Sequence, residues 1–255
     1  ILVFYLSCVA QLAKKIGGEV ISVDSRQVYR YMDVGTDKID LATRKDVLHH
    51  AIDVVDPDEI FSVADFVELA NRAVRRIIAR GRVPIFAGGT PFYYNALFDR
   101  SLTVDVPCHP EIRDELGKMD SLSRHEMLAK VDPDSAKRLH PNDSVRVIRA
   151  LEVYRVSGET LSSFRKKSDN SGYSPHYIGL IRPREDLCRS IEDRVKKQFH
   201  GGYPEEVQWL LDMGFSPDLP SMKGFGYREL VLYCQGRMTL DEGIESDIVA
   251  TRQFA

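Results

Sequence analysis

The sequence lacks the cysteine arrangements that metal sites and disulfide frameworks require. It has four cysteines, which are far apart and form no CxxC pair: Cys8, Cys108, Cys188 and Cys234. A structural zinc site and a disulfide-stabilised secreted domain are therefore both disfavoured. We expect the protein to work in the reducing cytoplasm.

Long apolar runs and an excess of positive charge are missing as well. No apolar stretch reaches the roughly 18 residues of a membrane span, so we expect no membrane association. The apolar residues 1–6 follow no basic leader, so no signal peptide is expected. The net charge is -3, which gives no global positive field to attract nucleic acid. Any contact with RNA must therefore come from local basic clusters.

What is present indicates an α/β protein with a parallel sheet. The chain has 255 residues, 43% hydrophobic and 29% charged, which is enough to bury a large core. Apolar stretches predict strands at 1–4, at 19–23, within 49–57 and at 83–87. A capping-box pattern at 62–65 begins a helix between the last two. Strands that are apolar along their length, separated by a helix, are typical of a parallel sheet covered on both faces.

A helical insertion is predicted to interrupt this core. Residues 105–173 contain charged helical patterns and proline-bounded turns, without a convincing strand. The apolar run at 176–183 then predicts one more strand of the same sheet, followed by further helices. The sequence thus predicts an α/β core made of residues 1–104 and 174–255, with residues 105–173 as an inserted helical subdomain.

Polar and glycine residues collect at two predicted strand ends. Directly after the strands come Asp24, Ser25, Arg26 and Gln27 in the first case, and Gly88, Gly89 and Thr90 in the second. Ligands of open α/β sheets bind at the carboxyl ends of the strands, so we expect both groups to face one crevice. Asp24 could act as a base or hold a metal, and the glycines could let backbone amides approach an anion. Each group alone is equally compatible with an ordinary loop.

Two basic clusters could follow a phosphate backbone. Arg146 and Arg149 are three residues apart on a predicted helix and share a face, although such a pair is more often simply solvated. Residues 223–228 combine glycines, two aromatic residues and two cations, which suits single-stranded RNA or an ordinary loop before a helix. The adjacent His49 and His50 point to opposite faces of a strand, so we do not expect them to hold a metal.

Seven separated segments are more specific than any of these clusters alone. They read ISVDSRQVYRYMDVGTDK, HHAIDVVDP, FSVADF, PIFAGGTPFYYNAL, NDSVRVIRALEVY, MKGFGYREL and TRQFA. In order and spacing they resemble the tRNA dimethylallyltransferase (tRNA isopentenyltransferase) family over essentially the whole chain. The resemblance implies a P-loop-type parallel sheet flanked by helices, with an insertion that helps to clasp the anticodon stem-loop of tRNA.

The resemblance also implies a reaction and roles in it. A dimethylallyl group passes from dimethylallyl diphosphate to the exocyclic amine of the adenosine beside the anticodon, and diphosphate leaves with Mg²⁺. Asp24 is identified as the general base and Thr90 as a hydrogen-bonding group on the substrate side. The implied tRNA contacts are Asp24, Ser25, Arg26, Gln27, Arg146, Arg149, Lys223, Gly226, Tyr227 and Arg228. The implied diphosphate contacts are Gly88, Gly89 and Arg194. No residue is identified as the Mg²⁺ ligand, and we expect a monomer.

One departure concerns the glycine-rich loop with which this family wraps the diphosphate. The sequence passes from ILVF directly to YLSCVAQ, without a GxxxxG[KS][ST] pattern. A strand at 1–4 would also need a connection before the following helix. We therefore expect a loop of roughly eight residues to be missing between Phe4 and Tyr5.

Three other functions remain open at this point. A small-molecule kinase of the P-loop class shares the sheet, but VPIFAGGT ends in glycine where an acidic Mg²⁺ ligand would usually stand. An enzyme that prenylates free adenine nucleotides is disfavoured by the long insertion and its arginines. A non-catalytic RNA-binding module becomes the better interpretation if the phosphate-binding loop is truly deleted.

Overall fold

The computed structural model describes residues 2–98, 104, 106–167 and 172–255, with the side chains of 2–7 and 166–167 left aside. The chain divides into two compact units. The first, called the α/β unit below, comprises Ile1–Tyr94 and Pro175–Ala255, and the second, called the helical unit, comprises Asn95–Ser174. The predicted insertion at 105–173 thus lies within the helical unit, which begins earlier in the chain.

The α/β unit contains a parallel sheet. Its described strands are β1 (Gly18–Ser22), β2 (His49–His50) and β3 (Val83–Ala87), arranged in the order β2-β1-β3. Val20 of β1 is opposite His49 on one side and Ile85 on the other. All five residues of β1 are buried, as expected for the central strand of a covered sheet. The α/β prediction is confirmed, and the three strands end at one edge of the sheet.

Helices account for most of the remaining regular structure. In chain order the described helices are α1 (Leu2–Ile16), α2 (Leu41–Asp46), α3 (Val63–Ala79), α4 (Pro91–Phe98), α5 (Pro110–Gly117), α6 (Ser121–Val131), α7 (Pro133–Arg138), α8 (Ser144–Ser157), α9 (Leu161–Lys167), α10 (Arg184–His200), α11 (Tyr203–Asp212), α12 (Tyr227–Cys234) and α13 (Leu240–Phe254). A 3₁₀ turn spans Pro220–Lys223. Across the described ranges, no helix is both long and apolar enough to cross a membrane.

Helix α3 shows how the sequence specifies an element. The Ser62 hydroxyl accepts a hydrogen bond from the Asp65 N–H, and the Asp65 carboxylate accepts one from the Ser62 N–H, so the predicted capping box is present. Its buried side chains recur at helical spacing: Phe66, Ala70, Ala73, Val74 and Ile77. Gly81 follows the helix with φ of +68°, a conformation that glycine adopts without strain.

The predicted strand at 1–4 is wrong. Leu2–Ile16 form one helix, so the chain crosses Phe4–Tyr5 without a turn. The helix includes the apolar residues 2–4, because no loop follows them that could reverse the direction of the chain. The expectation that a loop of roughly eight residues is missing between Phe4 and Tyr5 stays a prediction.

The predicted strand at 176–183 is wrong as well. None of the described strands pairs with this run, and its large apolar side chains are exposed, with Ile181 at 97%. An apolar sequence forms a strand only where a neighbour satisfies its backbone N–H and C=O groups. The polar residues predicted to face one crevice therefore follow the C-terminal ends of two paired strands, β1 and β3.

Each unit has its own apolar core. In the α/β unit, Val28, Tyr29 and Met32 pack with helices α10 to α13 in one cluster. This cluster attaches the segment after β1 to the C-terminal helices, which brings residues far apart in sequence close together. In the helical unit, α5, α6 and α8 pack through a smaller cluster that includes Leu116, Leu128 and Leu151. The two clusters share no residue.

Candidate functional site

The exits of β1 and β3 touch each other. The Val23 N–H donates to the Ala87 carbonyl at 2.7 Å, and the Thr90 N–H donates to the Val23 carbonyl at 3.1 Å. A Cβ added to Gly88 would lie 2.1 Å from the Val23 carbonyl oxygen. Gly88 is therefore required by the close approach of two backbones. That differs from the predicted reason, which was access for an anion.

Thr90 connects the two groups of polar residues. Its hydroxyl oxygen accepts a hydrogen bond from the Ser25 N–H at 3.0 Å and lies 3.5 Å from the Ser25 hydroxyl. Residues 24–27 and 88–90, called the strand-end site below, therefore share one location, as the parallel-sheet argument predicts. Gly89 is exposed there. The catalytic roles of Asp24 and Thr90 stay predictions.

Asp24 is a desolvated carboxylate with its hydrogen bonds on one side. It is 7% exposed, and its Oδ1 accepts from the Arg26 N–H at 2.7 Å and the Gln27 N–H at 3.3 Å. Burial raises the pKa of Asp24, an effect only partly offset by those two N–H groups and by the charges of Arg26 and Arg194. Within the described residues, no hydrogen bond reaches Oδ2. Such a group can accept a proton from a substrate.

Arg26 and Gln27 hold the strand-end site in place. The Arg26 guanidinium donates from Nη1 to the carbonyls of Pro220, at 2.6 Å, and Ser221, at 3.2 Å. Gln27 is fully buried: the Ser22 hydroxyl donates to its Oε1, and its Nε2 donates to the Thr36 carbonyl. The contact of Gln27 with tRNA stays a prediction; in this structure its side chain is enclosed and both ends of its amide are hydrogen-bonded within the protein. Arg26 is half-buried and ties the site to the 3₁₀ turn.

The 223–228 segment is exposed at only some of the predicted positions. Lys223 and Arg228 face solvent, whereas Gly226 and Tyr227 are buried. The predicted contacts of Gly226 and Tyr227 with tRNA stay predictions, and neither residue is open to solvent in this structure. The exposed aromatic ring belongs instead to Phe225, 42% exposed, with the Arg228 guanidinium 5.3 Å from its centroid. A ring and a cation presented together suit stacking on an unpaired base.

The two arginines of α8 have different roles. Arg146 is 74% exposed, and its ion pair among the described residues is with Asp143 at the start of the helix. Arg149 donates to the buried Glu152 at 2.7 Å and to the Val106 carbonyl at 2.7 Å. The RNA contact of Arg149 stays a prediction, and in this structure its guanidinium is paired with Glu152, whereas that of Arg146 faces solvent.

Glu152 is a buried carboxylate that accepts hydrogen bonds from several donors of the helical unit. Its carboxylate is fully buried and also accepts from the His109 N–H and from both Nε and Nη2 of Arg113. Although burial acts to raise its pKa, the hydrogen bonds and charges of these donors outweigh it and lower the pKa to about 2. The carboxylate is thus fixed in its ionised form and holds α5 against α8.

Arg194 adds positive charge to the strand-end site. It lies close enough to Asp24, Asp37 and Asp247 for its charge to act against the burial that raises their pKa values. Its Nε is buried without a hydrogen-bond partner among the described residues, and so is Oδ2 of Asp37. A buried, unsatisfied guanidinium N–H is a suitable donor for an anionic substrate group.

A protein-only cage for a metal ion is not found among the described residues: no group of three or more His, Cys, Asp and Glu side chains could hold one. This arrangement is nevertheless compatible with Mg²⁺. In phosphate chemistry Mg²⁺ is usually held by one or two carboxylates together with substrate phosphate oxygens and water. Asp24 and the unpartnered Oδ2 of Asp37 supply such oxygens.

The sequence does not single out two residues of this region, Glu206 and Phe225. Glu206 lies in the first turn of α11, where an acidic residue is ordinarily explained by the helix dipole, so nothing in the pattern marked it. Phe225 stood beside Tyr227 in a segment rich in glycine, and the choice between the two rings depends on burial that only the fold decides. Residues 225 and 227 flank Gly226, but the sequence does not show which of the two rings is buried.

Comparisons with known proteins agree on one family. A sequence model described as IPP transferase matches residues 27–255. A tRNA dimethylallyltransferase of Thermomicrobium roseum is 41% identical over 249 residues, 96% of this chain and 75% of the relative. The full-length tRNA isopentenylpyrophosphate transferase of Bacillus halodurans shares 37% identity and a TM-score of 0.70 over 98% of this chain and 80% of the other. A eukaryotic dimethylallyltransferase, in a structure titled as acting on tRNA, has 30% identity and a TM-score of 0.86, over 98% and 65%.

Proposed function

The chain belongs to the IPP transferase family, and we propose that its strand-end site carries out the group transfer of a tRNA dimethylallyltransferase. The protein transfers a dimethylallyl group to tRNA. The proposed donor is dimethylallyl diphosphate, and the acceptor is the exocyclic amine of the adenosine beside the anticodon. The single observation that carries the site assignment is the desolvated carboxylate of Asp24 at the junction of β1 and β3.

The chemistry requires a base at this position. An adenine amine is a weak nucleophile, and its proton must leave as the new N–C bond forms. Asp24 accepts that proton at Oδ2, while its Oδ1 stays fixed by the N–H groups of Arg26 and Gln27. Because burial raises its pKa, Asp24 is a stronger base than a solvated aspartate. The allylic C–O bond breaks in the same step, and the electron pair leaves with diphosphate.

Cationic and hydrogen-bonding groups stabilise the leaving diphosphate. Arg194 has the charge for this purpose and a buried Nε–H without a partner among the described residues, and the exposed Gly89 and half-buried Thr90 belong to the strand-end site. We propose that Mg²⁺ binds with the diphosphate and is held by Asp37, since both oxygens of Asp24 have other roles. When bound, Mg²⁺ would neutralise the charge that develops on the leaving group.

Contacts with tRNA are proposed from residues that solvent reaches. In the α/β unit these are the half-buried Ser25 and the exposed Lys223, Phe225 and Arg228, and in the helical unit the exposed Arg146. Lysine and arginine can neutralise phosphates, and Phe225 can stack on an unpaired base. The net charge of -3 means that this attraction is local. All four cysteines are free, which suits the proposed cytoplasmic location.

Transfer of labelled substrate tests the proposal. The protein is incubated with radiolabelled dimethylallyl diphosphate, Mg²⁺ and either unmodified tRNA or AMP. Label in tRNA is the expected result, and label in AMP would assign the chain to prenylation of free nucleotides. Binding of tRNA without transfer would identify an RNA-binding protein without this activity, a function that is favoured only if the glycine-rich loop whose pattern residues 1–16 lack is truly deleted.

A further inference from the structure

One half-buried carboxylate outside the strand-end site accepts hydrogen bonds from two segments. Glu206 accepts hydrogen bonds from the N–H groups of Asp33 at 2.7 Å, Val34 at 2.6 Å and Gly35 at 3.1 Å. The Tyr227 hydroxyl donates to the same carboxylate at 2.7 Å. Consecutive backbone amides that converge on one anion form a nest, and here the anion is a side chain of the protein itself.

Packing around the carboxylate joins the same two segments. The Tyr203 ring lies between Gly35 and Gly226, where an added Cβ would come within 2.1 Å and 2.6 Å of the ring. The Gln198 Nε2 donates to the Val34 carbonyl at 2.7 Å. Residues 33–35 are therefore fixed to α10, α11 and the start of α12 at once. The glycines are required because a larger residue would separate these surfaces.

We propose that Glu206 is a positioning residue for tRNA binding, which it serves by fixing residues 33–35 and Tyr227 relative to each other. Tyr227 begins α12, so its attachment sets the direction in which the neighbouring Phe225 and Arg228 face solvent. The inference rests on the proposed function, because the surface being aligned is the proposed tRNA surface. It also gives the buried Tyr227 a role in positioning, through its hydrogen bond to Glu206.

The carboxylate is needed in its ionised form for this role. All the described partners of Glu206 are donors, so an amide in its place would direct its own N–H groups at an N–H or O–H. Asp24 itself accepts from the N–H groups of Arg26 and Gln27, and from none of residues 33–35. Loss of the Glu206 contacts should therefore disturb the alignment of the tRNA surface more than the base that carries the chemistry.

Glu206→Gln tests this assignment through two separate readouts. The dissociation constant for unmodified tRNA, measured without donor, is expected to rise about tenfold, since freed segments must be reordered on binding. In the transfer assay, KM for tRNA should rise similarly, while KM for dimethylallyl diphosphate and kcat change by less than about threefold. Glu205→Gln is the matched control, because Glu205 is the exposed neighbour on the same helix and should leave every value unchanged.

The outcomes separate this inference from the proposed function. If the wild type transfers label to tRNA and Glu206→Gln binds tRNA as tightly as the control, Glu206 has no positioning role. A fall in kcat alone, in proportion to the fraction of unfolded protein, would show a purely structural residue and overturn the inference. If Glu206→Gln does not fold, Tyr227→Phe removes one donor only, and its tRNA dissociation constant should rise about threefold. A wild type that does not bind tRNA overturns the proposed function and the inference together.

Discussion

Two buried carboxylates, one in each unit, have opposite electrostatic surroundings. Asp24 in the α/β unit accepts two backbone N–H groups on one oxygen, and burial raises its pKa. Glu152 in the helical unit accepts from two arginines and a backbone N–H, and its pKa falls to about 2. Since both side chains are removed from water, the donors decide which carboxylate can exchange a proton.

The comparison separates a reactive group from a structural one. Glu152 is fixed as an anion, and its pairing with Arg113 and Arg149 contributes to the stability of the helical unit. Asp24 is poorly stabilised as an anion, so its ionised form lowers stability but gives a stronger base. The two should therefore respond in opposite ways to substitution by the neutral amide.

The largest expected effect is on the reaction rate of Asp24→Asn. Without the base, kcat for transfer to tRNA should fall about a thousandfold, whereas tRNA affinity should change little. The free energy of unfolding should stay the same or increase, because a desolvated charge is removed. Transfer kinetics, a tRNA binding curve and urea denaturation measure the three quantities. A variant with a normal rate would contradict the assignment of Asp24 as the base.

The next effect is on the stability of Glu152→Gln. Two guanidinium groups lose their buried anion, so the helical unit should be destabilised by about 3 kcal/mol. Denaturation followed by circular dichroism measures this loss, with Glu111→Gln, an exposed position on α5, as the control. Where the variant is still folded, kcat should remain within about threefold of the wild type. An unchanged midpoint would show that the arginines are satisfied by water instead.

The dependence on pH sharpens the same contrast. The pKa of Glu152 is about 2 in the folded protein against its ordinary 4.5, so its stabilising effect is complete above pH 4.5 and is lost as pH falls towards 2. The pKa of Asp24 is raised above its ordinary 3.8, so the acid limb of kcat/KM should lie at higher pH than for a solvated aspartate. An acid limb at or below pH 3.8, measured where the protein is folded, would contradict the desolvation of Asp24.

The sequence predicts this contrast only in part. Apolar strands followed by polar residues indicate the meeting of Asp24 and Thr90, because parallel strands must end together. The family resemblance assigns the reaction. Neither could show that Arg149 is occupied by Glu152, or that Tyr227 is buried while Phe225 is exposed. Those facts depend on which partners the packed units place beside each side chain, and helical spacing alone does not contain them.

The smallest effect should separate the two arginines of α8. Arg146→Ala removes an exposed cation and should weaken tRNA binding about threefold, with the dependence of log Kd on log salt reduced by about 1. Arg149→Ala should instead lower the free energy of unfolding, because it leaves Glu152 with fewer donors, and should keep the salt dependence of the wild type. Binding titrations at several salt concentrations, paired with denaturation curves, distinguish the two. If Arg149→Ala reduced the salt dependence as much as Arg146→Ala, both guanidinium groups would contact RNA. The pairing of Arg149 with Glu152 would then not prevent that contact.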